Sequence, residues 1–144
     1  MRRNLSDVER RVSGVLEDHP EILAAYLFGS AVSGRTRPDS DIDIAVLVHE
    51  KDLRPNSLKY RLELMTNLGS VLERFDIDLV VMNEAPPALA QNIITKGKLI
   101  FERSRSARIA FQVRTLNVFM DTEPMRRLYL HYLKRRYLKG SARG

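Results

Sequence analysis

Apolar residues recur along this chain in two periods, which predict helices and strands in alternation. Apolar positions spaced by three and four residues are typical of amphipathic helices, whereas apolar or alternating runs of four to eight residues are typical of strands. The predicted helices cover residues 8–16, 58–72, 86–97 and 105–137, the last with an interruption near 121–124. The predicted strands cover residues 22–28, 41–48, 75–82 and 98–101, and we expect the last of these at a sheet edge.

This order of elements predicts an α+β fold, with a small mixed β-sheet flanked by helices and a basic helix at the C-terminal end. A length of 144 residues is sufficient for a hydrophobic core without disulfides or a structural metal. Because the sequence has no internal repeat and no long linker, we expect a single domain over residues 1–144. Its core is expected at about 5–102, and a helical extension at about 105–138.

The positive charge of the chain is concentrated towards its C-terminal end. The formal net charge is +6, but residues 103–144 contain eleven Lys and Arg against two acidic residues. Such a basic segment can bind nucleic acid or an acidic protein, or it can form a solvated helix face. The apolar and aromatic residues between 128 and 138 can either pack on the body of the protein or dock a partner.

The composition excludes several classes of site. The chain contains no cysteine, which excludes disulfides, thiolate zinc sites and cysteine nucleophiles. The sequence also lacks an apolar run near the ~20 residues that a membrane-spanning helix needs. The first residues are charged and lead into no apolar signal segment. We therefore expect a cytoplasmic protein without membrane contact.

Two carboxylates lie one residue apart at the start of the second predicted strand, at Asp41 and Asp43. Side chains i and i+2 of a strand project from one face, about 7 Å apart at Cα. The two carboxylates can therefore hold one divalent cation or bridge two. No lysine or arginine in the strand neutralises them, and two like charges this close are costly unless a cation joins them. The alternative is a solvated pair on an edge strand.

A third carboxylate is expected from the strand over 75–82, which carries Asp76 and Asp78 on one face. Asp78 lies between Ile77 and Leu79 in what we expect to be a central strand, where an unpaired charge would be costly to bury. A metal shared with the first two carboxylates would explain its presence. Asp76 is nearer the start of the strand and is interpreted as solvated, so Asp78 is the preferred third ligand.

A glycine and a serine after the first strand form a candidate phosphate-binding turn. Gly29 allows the backbone to turn sharply, and the amide and hydroxyl groups of Ser30 can hold phosphate oxygens. Ser40, beside the first aspartate, can support that carboxylate or a nucleotide. Arg35 can reach phosphate oxygens or lie on the loop surface. Residues 29–36 approach the spacing of a P-loop, but a strand follows within a few residues instead of a long helix, so we reject that interpretation.

Gly29-Ser30, ten further residues, then Asp41-Ile42-Asp43 and a later Asp78 resemble the motif of the minimal nucleotidyltransferases (MNT) of the DNA polymerase β-like superfamily. The likeness extends over nearly the whole chain. Residues 120–124 and the basic helix after them resemble the end of the adenylyltransferase antitoxins of HEPN/MNT toxin–antitoxin pairs. The resemblance implies that the three aspartates bind metal and catalyse transfer, and that Gly29 and Ser30 bind the triphosphate.

The resemblance also implies a function and a partner. Such antitoxins use ATP and Mg²⁺, with two ions expected, to attach AMP to a tyrosine of a HEPN RNase toxin, which silences the toxin. A hetero-oligomer with the toxin is implied, and direct nucleic-acid binding is not expected, although the basic C-terminal end leaves it open. Two alternatives remain: an antitoxin that acts by binding and occlusion alone, and a nucleotidyltransferase that modifies a small molecule or an RNA end.

Overall fold

The computed structural model describes residues 5–29, 32, 41–52, 57–74 and 76–142, and within them five α-helices and four strands. Two short 3-10 helices, Glu50–Asp52 and Met82–Glu84, follow the second and third strands. In chain order the main elements are α1 Leu5–Glu17, β1 Ile22–Phe28, β2 Ile42–Val48, α2 Ser57–Leu72, β3 Ile77–Val81, α3 Pro87–Lys96, β4 Lys98–Glu102, α4 Arg105–Asp121 and α5 Glu123–Ala142.

The four strands form one mixed sheet in the order β3-β2-β1-β4. Strand β1 pairs antiparallel with β2 and β4, and β2 pairs parallel with β3. The predicted α+β fold and the edge position of β4 are thereby confirmed. The prediction of a central strand over 75–82 is wrong, because β3 lies at the other edge and Asp78 is exposed. The cost of burying Asp78 is therefore no argument for a metal.

Helices cover both faces of the sheet because its central strands are apolar on both sides. One face packs against α1 and α2 around side chains such as Leu16, Ile44 and Leu68, all of which are fully buried. The opposite face packs against α3 and α4 around Tyr26, Ala45, Met82, Ile93 and the partly buried Phe111. The starts of β2 and β3 lie at one end of this second face, where polar residues replace the apolar ones.

Part of the basic C-terminal segment is tied to the body of the protein. The Arg103 guanidinium donates to the carbonyls of Ile22 and Leu16 at 3.0 and 3.1 Å. Arg108 pairs with Glu102 at 2.6 Å, and Arg114 with Glu50 at 3.2 Å. These contacts hold Arg103 and Arg108 against the body of the protein, whereas the exposed Arg114–Glu50 pair adds little stability. The charge that a partner can meet lies further along the chain, on α5.

The last two helices meet at Thr122, so the predicted interruption is confirmed. We expected α5 to bury part of its apolar surface on the body or to present it to a partner. In the structure most of that surface stays in solvent, with more than half of each side chain exposed at Met125, Leu128, Tyr129, Leu130 and Tyr132. Among the described residues, the helices all fall short of the length and apolar character needed to cross a membrane.

Candidate active site

Three strands bring their polar ends together at one end of the sheet. Phe28 at the end of β1 pairs with Asp43 of β2, and Asp43 pairs with Asp78 of β3. Paired residues of neighbouring strands project from the same face, about 5 Å apart. Asp41 directly precedes β2, and Gly29 directly follows β1. The predicted site residues that the structure describes therefore lie together at this end of the sheet.

Gly29 lies in van der Waals contact with the Asp43 carboxylate. A Cβ added to Gly29 would be only 2.1 Å from Asp43 Oδ2, and the φ of Gly29 is +72°. Sequence reasoning assigned Gly29 to a sharp turn beside phosphate. The structure places the turn as expected. It also shows a second reason why glycine is required here, since a side chain would collide with the Asp43 carboxylate.

The charges of the three aspartates act on one another. Burial raises the pKa of Asp43 above its usual value, and the neighbouring charges of Asp78 and Asp41 raise it further. Asp43 is half-buried, whereas Asp41 and Asp78 are exposed. The three carboxylates therefore repel one another, as the spacing of like charges in the sequence predicted. A bound cation would relieve this repulsion.

Asp76 is not simply solvated, which corrects the interpretation from the sequence. Arg74 Nε donates to Asp76 Oδ1 at 2.6 Å, and Arg74 Nη2 contacts Asp76 Oδ2. The guanidinium therefore neutralises this carboxylate on two sides. Among the described residues Asp78 forms no such ion pair, and it pairs with Asp43 in the β2–β3 ladder.

The donor set at this end of the sheet fits a hard divalent cation, because carboxylate oxygens are the ligands that Mg²⁺ prefers. Asp41, Asp43 and Asp78 are the side chains that could hold it. As placed, no three acidic, histidine or cysteine side chains among the described residues form a closed ligand group. The three carboxylates are neighbours with like charge, and their role as ligands remains a prediction.

Three predicted nucleotide-binding residues, Ser30, Ser40 and Arg35, lie outside the described residues. Their assignment to phosphate or nucleotide stays a prediction from the sequence. Gly29 and Asp41, which flank this segment, are described and lie at the same end of the sheet. The segment therefore begins and ends beside the carboxylates.

Arg74 is the charged neighbour that sequence reasoning missed. It lies in the turn between α2 and β3, whereas the interpretation of the sequence considered only lysine and arginine residues within a strand. The signal was present in the spacing of Arg74 and Asp76, since residues i and i+2 of an extended segment share a face.

The chain is similar to known nucleotidyltransferases over most of its length. The family model for polymerase β nucleotidyltransferases matches residues 10–106. The chain is 33% identical to protein adenylyltransferase MntA of Shewanella oneidensis over 119 residues, which are 82% of this chain and 81% of that protein.

Two solved structures are similar in fold over almost the whole chain. A chain from a crystal structure of a toxin–antitoxin with AMP-PNP matches with a TM-score of 0.75 and 31% identity, covering 88% of this chain and 98% of that one. A chain from tri-AMPylated Shewanella oneidensis HEPN toxin in complex with MNT antitoxin matches with a TM-score of 0.71 and 28% identity, covering 91% and 99%. The resemblance found in the sequence is confirmed, and the chain belongs to the polymerase β nucleotidyltransferase family.

Proposed function

We propose that this protein is an antitoxin that transfers AMP from ATP to a tyrosine hydroxyl of a partner HEPN RNase toxin and thereby neutralises it. The observation that carries the proposal is the pairing of Asp43 with Asp78 beside Gly29 at one end of the sheet, with Asp41 within electrostatic reach of Asp43. Family membership supports nucleotidyl transfer. The similarity to a protein adenylyltransferase, and to chains from complexes with AMP-PNP or AMPylated HEPN toxin, supports ATP as donor and the toxin as acceptor.

The reaction is an in-line attack of the acceptor hydroxyl on the α-phosphorus of ATP. One phosphorus–oxygen bond forms to the acceptor, the bond to pyrophosphate breaks, and the hydroxyl proton is released. Catalysis of this kind depends mainly on positioning and charge stabilisation. Few side chains are needed, which suits a chain of 144 residues.

We assign Asp41, Asp43 and Asp78 as ligands of one Mg²⁺, and Asp41 and Asp43 as ligands of a second. When bound, the cations supply charge neutralisation at the triphosphate and activation of the acceptor hydroxyl. Asp43 is held in place by the β2–β3 ladder and by its contact with Gly29. Gly29 also begins the turn to Ser30, which we assign to the triphosphate together with Ser40 and Arg35.

Helix α5 offers a surface for the toxin. It exposes several large apolar and aromatic side chains. Exposed basic residues, which include Arg127 and Arg135, lie among them. Large exposed apolar side chains are typical of protein interfaces. Because these side chains of α5 are left exposed, we assign this surface to binding of the protein acceptor. An RNA end or a small molecule would not need it.

Incubation with α-³²P-labelled ATP, Mg²⁺ and the purified toxin tests the proposal. We expect label on the toxin and loss of its RNase activity. The double variant Asp41→Asn/Asp43→Asn should transfer no label, while Glu63→Gln, an exposed acid on α2, should transfer as wild type does. A stable complex without label would favour occlusion. Full transfer by the double variant would overturn the metal assignment.

A further inference from the structure

Four aspartates, not three, lie side by side at the starts of β2 and β3. Asp43 pairs with Asp78, and Ile42 pairs with Ile77. The N–H of Ile42 donates to the carbonyl of Asp76 at 3.0 Å. The register therefore places Asp76 beside Asp41, one step along from the Asp43–Asp78 pair. Asp43 and Asp78 are paired near the starts of β2 and β3, and Asp41 and Asp76 directly precede these two parallel strands; we call the four residues the aspartate quartet.

Arg74 is fixed against one corner of the quartet. Its guanidinium contacts both carboxylate oxygens of Asp76, and its side chain is only 15% exposed. A pair of this bidentate geometry is stronger and more specific than a single hydrogen bond. The side chain is therefore held at the site and does not extend into solvent.

The turn before β3 imposes this position. Glu73 has a φ of 55°, which reverses the chain directly after α2. The N–H of Arg74 donates to the carbonyl of Gly69 at 3.0 Å. A Cβ on Gly69 would lie 2.6 Å from the Arg74 carbonyl oxygen, so the turn is packed tightly on the helix. Arg74 is thus placed by the backbone as well as by its ion pair.

The guanidinium acts on more than its direct partner. The hydrogen bond to Asp76 raises the pKa of Arg74, burial opposes that rise, and the charges of Asp76 and then Asp41 add to it. The positive charge of Arg74 therefore lies within electrostatic reach of both β2 and β3. Four carboxylates and one guanidinium give this cluster a formal charge of −3.

We propose that Arg74 is a positioning residue that sets the cation affinity of the site, by holding Asp76 in an ion pair and leaving Asp78 as the carboxylate that β3 contributes. This inference rests on the proposed cation site. Neither residue is assigned to the metal or to the substrate. Their role is to fix which acid is available and how strongly the remaining charge attracts a cation.

The charges make a reciprocal prediction. Arg74→Gln raises the local negative charge by one and should tighten cation binding. Asp76→Asn lowers it by one, leaves Arg74 to act on Asp41, and should weaken binding. For a divalent ion near the surface we expect changes on the order of fivefold in each direction. The double variant Arg74→Gln/Asp76→Asn has the wild-type formal charge and should bind nearly as wild type does.

Titration calorimetry of the full chain with Mn²⁺ alone measures these affinities without any turnover. Arg74→Lys, which keeps the charge, should remain within about twofold of wild type. Arg10→Gln is a matched control, because it removes an arginine that pairs with an aspartate on exposed α1. It should leave Mn²⁺ affinity unchanged. Melting curves in EDTA check that each variant is folded.

Opposite changes for the two single variants, restored in the double variant, would support the inference. Weakening by both, or no change in either, would overturn it and leave the proposed function intact. A wild type that binds no Mn²⁺ would overturn the cation site and this inference together. If Arg74→Gln does not fold, the other two single variants test the inference. Weaker Mn²⁺ binding by Asp76→Asn together with retained binding by Arg74→Lys would support the role of the charge. Any other pattern would overturn it.

Discussion

The backbone of Gly29 lies against the carboxylate of Asp43 with no room for a side chain between them. A Cβ at Gly29 would be 2.1 Å from Asp43 Oδ2 and 3.1 Å from its Cγ. Gly29 also has a φ of +72°, a conformation that L residues with a side chain rarely adopt. One residue therefore ends β1 and shapes the position of a carboxylate in β2 that we assign to the metal site.

The first prediction concerns Gly29→Ala. The added methyl group must displace the Asp43 carboxylate, and the backbone strain should cost about 1–2 kcal/mol of stability. Misplacement of a catalytic group by about 1 Å can cost a factor of about 100 in rate, so we expect at least that loss in AMP transfer. Rates of label transfer and melting curves measure the two effects.

Gly14→Ala is the matched control for this variant. Gly14 lies in α1, and a Cβ there would meet nothing within 4 Å. Alanine in place of a helical glycine should stabilise the protein by about 0.5–1 kcal/mol and leave transfer unchanged. Wild-type activity in Gly29→Ala would show that the close approach to Asp43 has no part in catalysis.

The second prediction concerns the metal-free stability of Asp43→Asn. Because burial and the neighbouring acids raise the pKa of Asp43 in the folded state, the folded protein retains this proton to a higher pH than the unfolded chain does. The free energy of unfolding therefore falls as pH rises through the raised pKa. In EDTA at neutral pH, Asp43→Asn should melt at a higher temperature than wild type. The difference should shrink as the pH is lowered below the pKa of Asp43.

Mg²⁺ should reverse this order. At the proposed site the cation would bind the folded wild type and stabilise it by mass action, whereas Asp43→Asn would lack one proposed ligand and should gain little. Thermal melts of the wild type and of Asp43→Asn, each with EDTA or with Mg²⁺, give the melting temperature as a function of pH in all four cases. A lower melting temperature for Asp43→Asn in EDTA at neutral pH would contradict the electrostatic account.

The third prediction concerns Asp78→Asn. Since Asp78 is exposed and lies on an edge strand, the substitution should change the free energy of unfolding by less than about 0.5 kcal/mol. If Asp78 is a metal ligand as proposed, its loss should lower the transfer rate by about 100-fold or more. Single-turnover kinetics with labelled ATP measure the rate. Unchanged turnover would remove Asp78 from the site.

The fourth prediction concerns the proposed toxin-binding surface of α5. Leu128 and Tyr132 lie one turn apart on one helix face and are 66% and 58% exposed. Leu128→Ser/Tyr132→Ser should weaken toxin binding by about tenfold or more, because such anchors dominate interface energies. The melting temperature of the isolated chain should change little. Biolayer interferometry with immobilised toxin measures the affinity.

The control has the same geometry on another helix. Leu58 and Leu62 have the same spacing in α2 and are 56% and 53% exposed. Leu58→Ser/Leu62→Ser should leave toxin binding unchanged. Equal weakening by the two double variants, or none from the α5 variant, would argue against α5 as the docking surface.

Local patterns in the sequence were enough to predict most of the elements. Apolar periodicity predicted β1 and β2 and the helices around them, because burial forces side chains on one face to be apolar. The Asp41-Ile42-Asp43 spacing likewise placed two carboxylates on one side of a strand start. A break near 121–124 was also predicted, and the structure places it at Thr122.

The sequence by itself thus determined the α+β class, the family motif and the candidate acids, since each depends on residues close together in the chain. Only the tertiary structure decided that β3 is an edge strand, that Arg74 pairs with Asp76, and that Gly29 abuts Asp43. Strand order and contacts between segments depend on how the whole sheet and its helices pack. Local periodicity carries no information about that packing. The exposure of the apolar surface of α5 likewise depends on how the helices pack and could not be read from the sequence.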